Sequence, residues 1–111
     1  MKRIVLYVNK AFKYVWNGYA DAFASKHLRE IRHYATKGNI DAIKTLAEMS
    51  ETGTRVLKKD VTKAYSFYTI LVEKKVAIAS DKIRELESMM SDAEIAEAKQ
   101  FVLDWRETYG V

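Results

Sequence analysis

The sequence predicts an all-α protein of consecutive antiparallel helical hairpins, arranged as a short α/α solenoid of about six helices. Apolar residues recur at helical spacing, for example at Leu46 and Met49. Turn signals that contain glycine separate these stretches at Asn17-Gly18, Gly38 and Gly53. The apolar pattern also returns after 34 to 37 residues, a period in the range of helix-turn-helix solenoids.

The first two predicted helices form a weak first hairpin over residues 3–37. The helix over 3–16 carries an apolar stripe and ends at Asn17-Gly18. A β-strand over Ile4–Val8 is the alternative, but the sequence offers it no partner strand. In the helix over 20–37 we expect one set of side chains to face inward: Ala20, Phe23, Ala24, His27, Ile31, Tyr34 and Ala35.

The central hairpin is predicted over residues 38–75. Asn39 is suited to cap a helix that ends near Glu51, and Gly53 marks the turn that follows. Asp60 is suited to cap the next helix, over 61–75. The apolar stripe of that helix consists of Ala64, Phe67, Tyr68, Leu71 and Val72.

A closing hairpin is predicted over residues 76–108. Its first helix ends near Met90, and Ser91-x-x-Glu94 is a capping box that begins the second. No glycine or proline separates this hairpin from the preceding helix. The chain therefore either continues helically or bends near Lys74-Lys75, and the sequence leaves both open.

The internal repeat predicts a buried spine. A shift of 37 residues carries Leu46 and Met49 onto other apolar residues, and a shift of 34 does the same for Phe67 and Leu71. The eight residues of the expected spine are Leu46, Met49, Phe67, Leu71, Ile83, Leu86, Phe101 and Trp105.

One set of small, apolar and capping residues gives the central hairpin a recognisable spacing. The set consists of Ala42, Leu46-Ala47, Gly53, Val56, Asp60, Lys63-Ala64 and Phe67-Tyr68. It resembles the Sel1-like repeat, a relative of the tetratricopeptide repeat, and the likeness extends over about residues 38–106. It departs from that family at Arg55, where the family has a second glycine. The resemblance implies a right-handed superhelix of helix pairs that is used for protein–protein contact, with no enzymatic activity.

Composition limits the class of protein. The chain has no cysteine, which excludes disulfides and thiol chemistry and fits a reducing cytosol. Its longest uncharged run is the nine residues Ala64–Val72, too short for a transmembrane helix. We expect a single domain over residues 1–111 in a cytoplasmic protein of bacterial or phage origin.

Charge and aromatic residues mark the N-terminal third as the expected binding surface. Residues 1–38 hold eight Lys/Arg and two Asp/Glu, whereas residues 81–111 hold four and eight. Aromatic side chains beside lysines are suited to anchor a partner, and two arginines one turn apart can hold a carboxylate or phosphate. The predicted partner-binding residues are Tyr7, Lys10, Lys13, Tyr14, Trp16, Arg29 and Arg32. The alternative is that the next hairpin covers the first helix and the two arginines are only solvated.

These features favour a non-enzymatic protein-interaction module, an adaptor or small inhibitor that binds an acidic protein surface. The sequence shows no catalytic constellation, cofactor motif or metal-ligand spacing, and His27 and His33 lie on different sides of one helix. A nucleic-acid or other polyanion binder is the alternative, and association of the first helix with a membrane surface is a lesser one. The acidic C-terminal third of a second copy is one candidate partner, in a head-to-tail homo-oligomer.

Overall fold

The computed structural model describes residues 26–110, which form five helices and contain no strand. The helices are α1 (26–36 within this range), α2 (Ile40–Thr52), α3 (Val61–Glu73), α4 (Ala79–Glu87) and α5 (Asp92–Tyr109). The all-α prediction is confirmed. The number of helices differs from the expected six, and the helix expected over 3–16 lies outside the described residues.

Side-chain caps begin three of the helices at the positions that the sequence predicts. Asn39 accepts a hydrogen bond from the Ala42 amide at 2.9 Å, and Asp60 accepts one from the Lys63 amide at 3.0 Å. At α5, Ser91 and Glu94 form the predicted reciprocal capping box. Each cap satisfies an amide that the helix itself leaves without a partner.

Residues with a positive backbone φ angle lie in three of the turns between helices, at Gly38, Gly53 and Lys75. Gly53 has a φ of 79°, and a Cβ atom there would lie 3.1 Å from the Cβ and amide nitrogen of Lys59. Lys75 has a φ of 64°, so the chain bends where the repeat alignment places a bend, and α3 and α4 are separate helices. Two helices end earlier than expected: α3 ends at Glu73 rather than at residue 75, and α4 ends at Glu87 rather than near Met90.

Helix α3 is the central element of the described fold. It packs against α2, α4 and α5, and it is also the main packing partner of both α4 and α5, the helices of the expected closing hairpin. Its buried residues occupy all sides of the helix: Ala64, Tyr65, Ser66, Phe67, Tyr68, Ile70 and Leu71. A helix that is apolar all round is one that has neighbours on most sides. The solenoid superhelix remains a prediction.

A small residue lets α3 approach α5 closely. Ser66 and Ala98 are fully buried, and the Ser66 hydroxyl lies 2.8 Å from the Thr62 carbonyl oxygen and 3.2 Å from the Ala98 carbonyl oxygen. The hydroxyl therefore reaches a backbone acceptor on each helix, and a larger side chain at this position would separate them.

The expected spine is buried in large part. Leu46, Phe67, Leu71, Leu86 and Trp105 are buried. The other three, Met49, Ile83 and Phe101, are half-buried and pack against this core.

Three residues that the sequence places inward are exposed. Val72 is 37% exposed, because the packing on the last turn of α3 covers the sides of Ile70 and Leu71 and leaves the side of Val72 open. Tyr34 is 56% exposed and His27 is also exposed, because the buried side of α1 is the narrower stripe of Leu28, Ile31 and Ala35. The expectation that His27 faces inward is therefore wrong.

We predict a large difference between two truncations on α3. Phe67→Ala is expected to lower the free energy of unfolding by about 3–5 kcal/mol, because Phe67 is buried among aromatic rings. Val72→Ala is the control and should change it by less than about 1 kcal/mol, because Val72 is partly exposed and alanine favours a helix. Urea unfolding measures both, and equal losses would contradict the burial described here.

We also predict that Gly53 cannot accept a side chain without loss of stability. Gly53→Ala should lower the free energy of unfolding by about 1–3 kcal/mol, because it combines a positive φ with a close approach to Lys59. Gly110→Ala is the matched control, with a φ of 72° and open space around the added Cβ. Thermal unfolding should show the larger loss at Gly53, and the reverse order would refute this account of the turn.

Candidate functional site

A partly open cleft lies where α1, α2, α3 and α5 meet. Its volume is about 240 Å³. The described residues that line it are Arg32, Thr36, Leu46, Ser50, Leu57, Lys63, Phe67, Phe101, Trp105 and Tyr109. We call this the aromatic cleft.

Four aromatic rings in mutual contact form one wall of the aromatic cleft. The ring of Phe67 meets those of Phe101 and Trp105 edge to face, with centroid separations of 5.6 and 5.5 Å. The rings of Trp105 and Tyr109 are 4.7 Å apart. Three of the four stand at four-residue intervals on α5, so they lie along one side of that helix. The wall therefore offers a continuous apolar surface from α3 to the last turn of α5.

Trp105 brings an unused hydrogen-bond donor to this wall. The residue is 9% exposed, and its indole Nε1–H is buried without an acceptor among the described residues. Buried polar groups are nearly always hydrogen-bonded, and leaving one unpaired typically costs about 1–3 kcal/mol. The described part of the chain therefore leaves this donor, on a residue that lines the cleft, without an acceptor.

The charged residues of the aromatic cleft are all cationic. Arg32 and Lys63 are exposed and line the cleft from α1 and α3, and no carboxylate belongs to its described lining. Neither side chain forms an ion pair with another described residue. The cleft therefore favours an anionic ligand over a neutral or cationic one.

The basic residues of α1 extend this charge away from the cleft. Lys26, Arg29 and Arg32 are exposed and follow one another at three-residue intervals, which places them along one side of the helix. Lys37 is exposed in the turn after the helix. We call these four residues the basic face, and within residues 26–110 none of them is in an ion pair.

Two of the seven predicted partner-binding residues are described. Arg29 and Arg32 are both exposed on the basic face, and Arg32 also lines the aromatic cleft. The other five lie outside the described residues: Tyr7, Lys10, Lys13, Tyr14 and Trp16.

Sequence reasoning missed the aromatic cleft. It took Phe67, Phe101 and Trp105 as interior spine residues and assigned no role to Tyr109. The regular spacing of Phe101, Trp105 and Tyr109 is a signal that points to an aromatic side of α5. No local pattern connects that side with Arg32, more than seventy residues earlier in the chain.

A second group of polar side chains connects α2, α3 and α4. The Tyr68 hydroxyl donates to Glu51 Oε1 at 2.8 Å, and Lys82 Nζ donates to Glu51 Oε2 at 3.1 Å. Burial, followed by the hydrogen bond to Glu51, raises the pKa of Tyr68 well above its usual range. The hydrogen bond to Glu51 also raises the pKa of Lys82. Both oxygens of Glu51 have partners, so this group fastens three helices together and offers no free base.

Tyr65 makes a similar contact about one turn earlier on α3. Its hydroxyl donates to Glu87 Oε1 of α4 at 2.7 Å, and its ring is buried. Burial and this hydrogen bond raise the pKa of Tyr65 to about 12. The phenol therefore stays protonated at neutral pH and acts as a donor to the carboxylate.

Acidic residues collect on the side of α5 next to Lys63. A hollow of about 230 Å³ there is lined by Asp60, Glu97 and Asp104 together with polar side chains. The described residues contain no group of three or more His, Cys, Asp or Glu side chains placed to hold a metal ion. None of the described helices is long and apolar enough to cross a membrane.

Comparison with known proteins gives no match for this chain, whether to a family model, to a curated protein or to a solved structure.

We predict that the fold becomes less stable at high pH, because the tyrosine–glutamate contacts are lost when the tyrosine is deprotonated. The unfolded chain releases the Tyr65 proton near pH 10, whereas the folded chain holds it up to about 12. The folded state therefore binds more protons in that window, and the free energy of unfolding should fall as the pH rises through it, by up to about 1.4 kcal/mol per pH unit for this residue.

Urea unfolding at several pH values between 9 and 12 measures this slope. Tyr65→Phe should make the slope shallower, whereas Tyr34→Phe, which removes an exposed hydroxyl, should leave it unchanged. An unchanged slope in Tyr65→Phe would show that the contact with Glu87 is not maintained in solution.

Proposed function

We propose that this chain is a non-enzymatic protein-interaction module, an adaptor or small inhibitor, which binds an acidic surface of another protein. The single observation that carries the proposal is the basic face of α1. Its side chains are exposed and without an ion-pair partner among the described residues, so their charge is directed to solvent or to a partner. Complementary charge of this kind raises association rates and selects partners.

The size of the aromatic cleft supports a protein partner over a small-molecule substrate or cofactor. Its volume of about 240 Å³ is below the roughly 300–1,000 Å³ that is typical of ligand pockets. Aromatic residues and arginine, which are enriched at protein interfaces, both line it. A cleft of this size and composition is suited to a side chain of another protein.

The predicted N-terminal residues extend the proposed surface. Tyr7, Lys10, Lys13, Tyr14 and Trp16 combine aromatic rings with positive charge in the segment that precedes α1. The likeness to the Sel1-like repeat, which implies protein–protein contact, supports the same class of function. We propose a cytoplasmic location on the ground that the chain has no cysteine.

Binding of a nucleic acid or another polyanion is the second candidate. It is favoured by the same basic face, because Lys and Arg side chains also neutralise phosphates. The charge of α5 opposes it: Asp92, Glu94, Glu97, Asp104 and Glu107 are all exposed there and would repel a long polyanion. This acidic helix makes a second copy of the chain one candidate for the acidic partner.

We predict that reversing charge on the basic face abolishes partner capture. The full chain is used as bait in an extract of its native cell, and captured proteins are then purified and tested singly. Arg29→Glu with Arg32→Glu should weaken binding of the true partner at least about tenfold, mainly through a slower association rate that depends strongly on salt. Lys99→Glu, an exposed charge reversal on α5, is the matched control and should bind normally.

Two further measurements separate the alternatives. Titration with duplex DNA at two salt concentrations should give weak binding, whereas strong and salt-sensitive binding would replace the proposal with the polyanion alternative. Light scattering gives the mass in solution, and a dimer that the double variant disrupts would identify the partner as a second copy. A partner that binds wild type and the double variant equally would refute the role of the basic face.

A further inference from the structure

The aromatic cleft has three properties that together specify a ligand. Its wall is apolar and aromatic, its charged residues are Arg32 and Lys63, and one of its lining residues, Trp105, has a buried indole N–H without an acceptor among the described residues. An apolar wall binds an apolar side chain, two cations bind carboxylates, and an N–H requires an oxygen acceptor. A protein segment supplies all three, through a large apolar side chain, flanking Asp or Glu residues and backbone carbonyls.

We propose that the aromatic cleft is the anchor pocket for an acidic segment of the partner protein. A large apolar side chain of that segment enters the cleft against Phe67 and Phe101. Neighbouring carboxylates of the segment pair with Arg32 and Lys63, and one of its oxygen atoms accepts a hydrogen bond from Trp105 Nε1. This inference rests on the proposed function and assigns it a pocket, a ligand chemistry and three kinds of contact.

The indole N–H explains why the pocket would select its ligand. An unpaired buried donor lowers the stability of the free protein, and an acceptor that arrives with the ligand removes that penalty on binding. Sites that contain an unpaired polar group discriminate strongly between ligands with and without the matching group. An acidic segment that fills the cleft but offers no oxygen to Trp105 is therefore a poorer ligand.

Tyr109 is the exposed ring next to that of Trp105, and we propose that its movement gives access to this donor. Trp105 Nε1 has almost no contact with solvent, so a lining side chain must move before a ligand oxygen reaches it. Tyr109 is 44% exposed, lies in the last turn of α5 and has its ring 4.7 Å from that of Trp105. Rotation of an exposed side chain at a helix end is fast and requires no change in the backbone.

Charge complementarity favours an acidic ligand over a cationic one. The lining cations Arg32 and Lys63 attract carboxylates and repel other cations.

Peptide selection tests the ligand chemistry. A random twelve-residue peptide library is displayed and selected against the full-length protein, and the enriched peptides are synthesised with a fluorescent label. The expected result is enrichment of Asp and Glu around a large apolar residue. Enrichment of basic peptides, or of apolar peptides without acidic residues, would overturn the proposal.

Variants of the cleft then test the contacts with the best enriched peptide. Trp105→Phe keeps a ring but removes the N–H, and it should weaken binding by about five- to tenfold. Lys63→Gln should weaken it by about two- to fivefold and reduce its salt dependence. Lys99→Gln is the matched control and should leave binding unchanged.

The indole resonance gives a readout that a purely structural role of Trp105 would not change. The chain has two tryptophans, so a Trp16→Phe variant labelled with ¹⁵N shows the indole signal of Trp105 alone. Addition of the peptide should shift this signal in the direction of a new hydrogen bond. A signal that does not move at saturating peptide would overturn the proposal even if Trp105→Phe proves too unstable to use.

The outcomes separate this inference from the proposed function. Binding that is lost in the Arg29→Glu, Arg32→Glu variant but unaffected by Lys63→Gln and Trp105→Phe would overturn the anchor pocket and leave the basic face as the binding surface. Acidic peptides that bind independently of all these residues would overturn both. Self-association that Lys63→Gln abolishes would assign the cleft to a second copy of the chain and also overturn the inference.

Discussion

The burial of α3 is the constraint on which the rest of the described fold depends. Seven of its thirteen residues are buried, and five of them are aromatic or large aliphatic: Tyr65, Phe67, Tyr68, Ile70 and Leu71. A helix with this composition is stable only when α2, α4 and α5 remove it from water. Those three helices have less apolar surface than α3 and depend on contact with it for their own stability. The four elements therefore stabilise one another cooperatively.

Polar side-chain contacts connect α3 to each of these neighbours. Tyr68 reaches Glu51 on α2, Tyr65 reaches Glu87 on α4, and Glu73 forms an ion pair with Arg106 on α5. The ion pair is largely exposed and contributes little stability. Burial of apolar surface supplies most of the free energy of folding, and it depends little on the orientation of the groups that are buried. The directional hydrogen bonds and the ion pair instead fix the rotation and register of the helices.

The proposed binding surface shares residues with the core. Phe67, Phe101 and Trp105 both support the contact between α3 and α5 and line the aromatic cleft. A substitution at these rings therefore changes stability and ligand binding together, and the exposed cations Arg32 and Lys63 are the residues that separate the two effects. The same sharing explains the unpaired indole N–H, because Trp105 is held in place by ring packing that does not require its nitrogen.

The sequence by itself determined the features that rest on interactions within a few residues. The caps at Asn39, Asp60 and Ser91 and the break at Gly53 were predicted correctly, because each depends on neighbouring backbone groups or on a φ angle. The bend near Lys75 was one of two alternatives that the sequence left open.

Only the tertiary structure decided which sides of the helices are covered and which side chains meet. In the folded chain Tyr34 and Val72 are exposed, although the helical period alone places them inward. The fold also places α3 in contact with three other helices. Of the candidate site, the sequence predicted Arg32 as a partner-binding residue but gave no indication of its cleft. That cleft joins side chains of four helices, from Arg32 to Tyr109, and their meeting depends on how the helices pack rather than on any local pattern.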